Sequence, residues 1–157
     1  MGKPSPENLR IREVRDFVLK RIKKFGEMHF LIYKLPKSLR GNSGIDFQVS
    51  RSGRKTEDPK LFVIYYNPDS MTDMTRSRLI VNLFHEILHA FMWDYEDEYA
   101  HVIKYIKQKN LKKELKKRNE DASERVTYDM VRHLGPVLFP EVNPEDWEPE
   151  INEDKGE

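Results

Sequence analysis

From Arg76 to Ala90 the chain reads Arg-Ser-Arg-Leu-Ile-Val-Asn-Leu-Phe-His-Glu-Ile-Leu-His-Ala, with no glycine or proline to interrupt a helix. Ile80, Leu83, Phe84, Ile87 and Phe91 recur at spacings of three and four, which predicts a helix over about Thr75 to Trp93 with this row turned to the core. His85 and His89 then fall at the border of the opposite side. Four residues apart, they stand one above the other and can offer two imidazole nitrogens to one metal ion. Glu86 lies about 100° around the helix from His85, close enough to hold and deprotonate a water at that ion.

The rest of the composition narrows the donors. The 157 residues include no cysteine, so disulfides, zinc ribbons and thiol catalysis are excluded, and a metal must be held by His, Asp and Glu. A chain of this length is one domain of ordinary size. Met1 to Glu7 lacks the apolar core of a signal peptide, and no apolar run approaches spanning length, which predicts a cytoplasmic protein without a membrane partner. The 28 Lys and Arg balance the 27 Asp and Glu, but the signs are segregated. Lys104, Lys107, Lys109, Lys112, Lys113, Lys116, Lys117 and Arg118 form a basic run, and Glu141 to Glu157 is acidic. The basic run could meet nucleic acid. A solvated helix face is favoured, because Tyr99, Val102, Ile103, Ile106, Leu111 and Leu115 supply an apolar row to bury beneath it.

Periodicity and breakers place the other elements. Glu7 to Lys24 reads as a helix with Leu9, Val14, Phe17, Val18 and Ile22 as its stripe. Met28 to Leu35 reads as a strand stopped by Pro36, Gly41 to Gly44 as a turn, and Ile45 to Ser50 as a short strand. A polar loop follows from Ser52 to Pro59, and Leu61 to Tyr66 is the strongest strand, closed by Asn67-Pro68-Asp69. After the histidine helix we expect an acidic turn at Asp94 to Glu98. The Lys-rich helix comes next, broken near Asn110, and a last helix runs from about Asp121 to Leu138, stopped by Pro140. The order predicts an α+β domain over residues 1–140, a small mixed β-sheet packed against the helices, with residues 141–157 as a flexible acidic tail.

Two histidines are an incomplete site, since a catalytic zinc normally has three protein ligands. Glu124 is one candidate for the third: it lies at the edge of the stripe Thr127, Val131, Leu134 and Leu138, widened by Met130 and Val137, and Tyr128 follows on the same border. Glu120 and Asp121 are near enough in sequence to take its place, although acidic residues there also suit a helix N-terminus. His101, twelve residues after His89, becomes a candidate if the acidic turn folds its helix back. His29 and His133 read as structural or surface residues.

Residues Leu79 to Ala90, with His85-Glu86-x-x-His89 at their centre, closely resemble the active-site helix of zincin metallopeptidases. The wider arrangement resembles the compact metallopeptidases of phages and mobile elements, and is similar to small immunity-type peptidases with a downstream glutamate ligand. The resemblance spans about residues 28–138, with only the five-residue motif specific. In its gluzincin form it implies Zn2+ on His85, His89 and Glu124, with Glu86 as the acid/base. The chain departs from related patterns at defined places. Met92 and Tyr95 stand where the metzincin signature has Gly and His, and Tyr95 likewise breaks the three-His pattern of zinc endoribonucleases. The SprT-like group carries a third His followed by Gly and often a Cys-rich ribbon, whereas here Val102 follows His101. The longer Asn-Glu and Ser-Asp signature of well-known gluzincins is absent from the downstream helix.

The expected activity is hydrolysis of a protein or peptide substrate by a zinc-activated water. Glu86 would move the proton, and Tyr128 or His101 would stabilise the oxyanion. The strand Leu61 to Tyr66 would pair with the substrate along an exposed edge. Two rivals are a catalytically inactive zincin-fold regulatory or nucleic-acid-binding protein using the basic helix 104–118, and an interaction module with a closed structural zinc site.

Overall fold

The computed structural model describes residues 2–22, 28–40, 45–52 and 60–148. The expected turn at Gly41 to Gly44, most of the polar loop before Lys60, and the acidic residues from 149 onward lie outside the described residues. The chain is an α+β fold of helices α1 (Pro6–Arg21), α2 (Lys37–Arg40), α3 (Arg76–Ile103) and α4 (Lys109–Leu138). With them are strands β1 (Met28–Lys34), β2 (Phe47–Ser52) and β3 (Lys60–Tyr66).

The sheet is mixed, in the order β1-β3-β2, with β1 parallel and β2 antiparallel to β3. Phe30 pairs with Phe62, Ile32 and Val49 both with Ile64, and Phe47 with Tyr66, so one face is a continuous apolar layer. Against it pack Ile11, Val14 and Val18 of α1 and Leu79, Leu83, Phe84 and Ile87 of α3, all buried. Ser5 caps α1 by accepting the Asn8 N–H, and Pro6 occupies the first turn, where no N–H is needed. From α1, Asn8 donates to the Ile32 carbonyl and Arg15 to that of Phe30, which occupies the outer edge of β1. The strand expected to offer an edge, β3, is the central one, paired on both sides.

Four further expectations change. First, no turn forms at Asp94 to Glu98: α3 continues to Ile103, because that stretch has neither Gly nor Pro and its two Glu residues favour helix. Second, the Lys-rich segment and the last helix are one 30-residue helix, α4, and the reversal falls at Tyr105 to Gln108 instead of near Asn110. Third, the apolar row below the basic run is not a buried face. Among residues 94–118 only Ile103 is buried, and Val102 and Leu111 are 64% and 40% exposed. Phe91, Leu9 and Val137, counted above as inward-facing, are also exposed. Fourth, the start of the acidic segment is part of the core. Val142 and Trp147 are buried, and a 3-10 turn over Pro144–Trp147 lays the indole on Gly135 and against Phe84 and Phe139. The apolar gain from an indole outweighs the solvation of its acidic neighbours, of which Glu145 stays exposed and Asp146 is half-buried.

Candidate metal centre

With Leu83, Phe84 and Ile87 facing the sheet, the other side of α3 carries Arg78, Asn82, His85, Glu86 and His89, spaced at one helical turn. The Nε2 atoms of His85 and His89 are 2.9 Å apart, and the rings are inclined at 74°. Helix α4 crosses beside them with its buried row Ser123, Thr127 and Val131 on α3, and this packing delivers Glu124 to the histidines. Glu124 Oε1 lies 3.2 Å from His89 Nε2 and Oε2 lies 3.7 Å from His85 Nε2. One donor atom from each of the three residues falls within a 4.8 Å cluster. Ligand atoms around a tetrahedral zinc, at bonds of about 2.0–2.1 Å, are separated by roughly 3.3 Å. Two imidazole nitrogens and a carboxylate at these spacings fit such an ion, and the donor types suit it.

Of the residues considered for the third position, Glu124 is the one that joins the cluster among the described residues. His101 stands on the same unbroken helix as His89, about 18 Å further along its axis, and its ring contacts Tyr105 instead. Glu120 and Asp121 are exposed and outside the cluster. His29 and His133 are on the surface.

Two neighbours shape the electrostatics. Burial holds His85 down at about 4, reinforced by the charge on His89. Burial also works against a charged His89, but Glu124 and Glu96 outweigh it and carry His89 up to about 10. The hydrogen bond from His89 in turn holds the Glu124 carboxyl below its ordinary value. Glu96 was not foreseen. It stands two turns beyond His89, its Oε1 lies 3.9 Å from His89 Nδ1, and it accepts a hydrogen bond from Ser123 Oγ of α4. A carboxylate facing Nδ1 favours the tautomer that carries its proton there and leaves the Nε2 lone pair for a metal. The seven-residue spacing would have revealed it had the acidic stretch been read as helix.

Glu86 is turned toward the sheet, where its Oε2 accepts the Val49 N–H of β2 at 3.0 Å. Burial pushes its carboxyl up to about 7, against the opposing pull of His89 and of that hydrogen bond. His85 and Glu86 open onto a cleft of about 270 Å³ walled by Phe47 of β2 with Asp46 before it, Arg78, Tyr128, and Trp147 with Glu148. The Tyr128 ring sits 4.8 Å from that of His85, and burial raises its hydroxyl, followed by the charges of Glu124 and Glu86. Tyr128 therefore remains a proton donor at neutral pH.

Among the described residues no helix is long and apolar enough to cross a membrane. No family model, curated protein or solved structure matches the chain.

Proposed function

We propose that this chain is a zinc-dependent metallopeptidase, a compact gluzincin-like zincin of the phage type, acting on protein or peptide substrates. The observation that carries the reading is the convergence of His85, His89 and Glu124 within 4.8 Å, with the Glu86 carboxylate one residue from the first donor. Zinc, when bound, supplies a Lewis acid that polarises a carbonyl and acidifies water.

The chain's own groups have separate tasks. Glu86 Oε2 is occupied by Val49, which leaves Oε1 to take a proton from the attacking water and return it to the leaving amine. A carboxylate raised to about 7 is matched to this work near neutral pH. The Tyr128 hydroxyl donates toward the carbonyl oxygen as it becomes negative. Glu96 and Ser123 orient His89. An extended substrate in the cleft lies beside the outer edge of β2, since β3 has no free edge. A cytoplasmic setting belongs to the same proposal.

The test pairs metal analysis with peptide hydrolysis read by mass spectrometry. Glu86→Gln should retain one zinc per chain and lose hydrolysis, and Glu124→Ala should lose the zinc. Full hydrolysis by Glu86→Gln would falsify the assignment.

A further inference from the structure

The tip of the α3–α4 hairpin is built unlike the rest of the molecule. Residues 104–118 hold eight cations and one acid, Glu114, in a chain whose overall charge is +1. A run of this kind is usually the wet side of a helix whose other side is buried, but here no residue of the segment is fully buried and only Ile106 and Leu115 are half-buried. Among the described residues, Arg118 alone of the eight has an ion-pair partner, Glu114. At 100° per residue, Lys109, Lys112, Lys113, Lys116 and Lys117 occupy one sector about 140° wide and about 12 Å long. At the head of this row stands Tyr105, 70% exposed. The Lys104 Nζ lies 5.4 Å from its ring centroid and His101 meets it edge-on, so the aromatic surface is held in place among positive charges.

We infer that this hairpin is a docking surface for single-stranded nucleic acid, with the lysine row tracking the phosphates and Tyr105 stacking on a base. The pairing of a cationic track with an exposed aromatic platform is the arrangement that binds a single strand without reading its sequence. An acidic polypeptide would satisfy the lysines but would leave Tyr105 without a role. The row also ends abruptly. Glu120, Asp121 and Glu124 follow Arg118, and their charge turns a phosphate backbone away before it reaches His85 and His89. The strand is thus a tether beside the metal centre and not its substrate. The inference does not depend on the peptidase reading, because no residue in the row belongs to the centre.

Fluorescence anisotropy of a labelled oligothymidylate of about 20 nucleotides, titrated with the full chain at several salt concentrations, tests it. Three to five phosphate contacts give a slope of log K against log salt of about −2 to −3.5. Lys109→Gln/Lys113→Gln/Lys117→Gln should lower that slope by about 2 and weaken binding at least tenfold at about 50 mM salt. Unchanged circular dichroism and an unchanged urea midpoint would establish that this variant is folded. Tyr105→Ala should weaken binding roughly 5- to 100-fold and leave the slope alone. No binding by the parent chain at about 50 mM salt would overturn the inference. So would full binding by the triple variant, tighter binding of a duplex of the same length, or equal competition by polyglutamate.

Discussion

Gly135→Ala is the substitution for which helix propensity and packing give opposite answers. Gly135 lies inside α4, where alanine should add about 1 kcal/mol of stability. A Cβ at this position, however, would fall within contact of three ring carbons of Trp147, the farthest at 2.7 Å. Ordinary carbon contacts begin near 3.5 Å, so the indole would have to retreat by about 1 Å. It has little room to do so, being set edge-on to Phe84 at 6.4 Å and stacked on Phe139 at 6.2 Å between ring centroids. Overpacking of this kind costs about 1–3 kcal/mol, and more where a rigid ring cannot turn aside. With the propensity gain set against it, we expect a net loss of about 2 kcal/mol, or a fall of roughly 4–8 °C in Tm. Urea denaturation of the four proteins of a double-mutant cycle with Trp147→Ala is the assay. In the Trp147→Ala background Gly135→Ala should become stabilising by up to about 1 kcal/mol, giving a coupling of about 3 kcal/mol. If Gly135→Ala is at least as stable as the parent, or shifts both backgrounds alike, Trp147 is not seated on α4 and the cleft loses one wall.

Three more outcomes concern the centre. Because burial raises Glu86 above its unfolded value of 4.5 to about 7, the stability it contributes below pH 4.5 is lost as the pH rises through 7. In chelator, Glu86→Gln should therefore be more stable than the parent at pH 8 by up to about 3 kcal/mol and equal to it near pH 4, as denaturation curves at the two pH values would read. His89, raised to about 10 through Glu124 and Glu96, must give up a proton to a metal. Apparent zinc affinity should rise about tenfold per pH unit from 7 to 9 in competition with a chromophoric chelator, and a flat profile would refute this. Finally, Glu96→Gln and Ser123→Ala should each weaken zinc binding by about 10- to 100-fold with little change in circular dichroism. Unaltered affinity in both would remove Glu96 from the support of His89.

What the sequence disclosed followed from local periodicity. Spacings of three and four placed the histidine helix, and alternation in one segment with β-branched and aromatic runs between breakers in two others placed three strands within a few residues of their bounds. The border position of Glu124 on its stripe was legible for the same reason, and α4 does bring it to the histidines. What was hidden depended on longer range or on charge. Asp94 to Glu98 resembled a turn because the acids cluster, yet Asp94 meets Arg51 and Lys60 of the sheet and Glu96 meets His89. Neither role exists until the tertiary structure does. Acidic composition likewise concealed Val142 and Trp147 as anchors. The central place of β3 is a matter of strand order, which alternation within a strand does not encode.

The donors and the base reach the centre by different routes. His85, His89 and Glu124 stand on the two arms of one helical hairpin joined by the short reversal at Tyr105 to Gln108. Val49, which holds Glu86, belongs to a sheet whose parallel ladder must join residues as distant as Met28 and Lys60. The two attachments can therefore fail separately. A lesion confined to the edge strand β2 would free the Glu86 carboxyl from Val49 and leave His85, His89 and Glu124 together, since all three are held by the hairpin. A change at the α3–α4 seam would part the three donors and leave Glu86 on its strand.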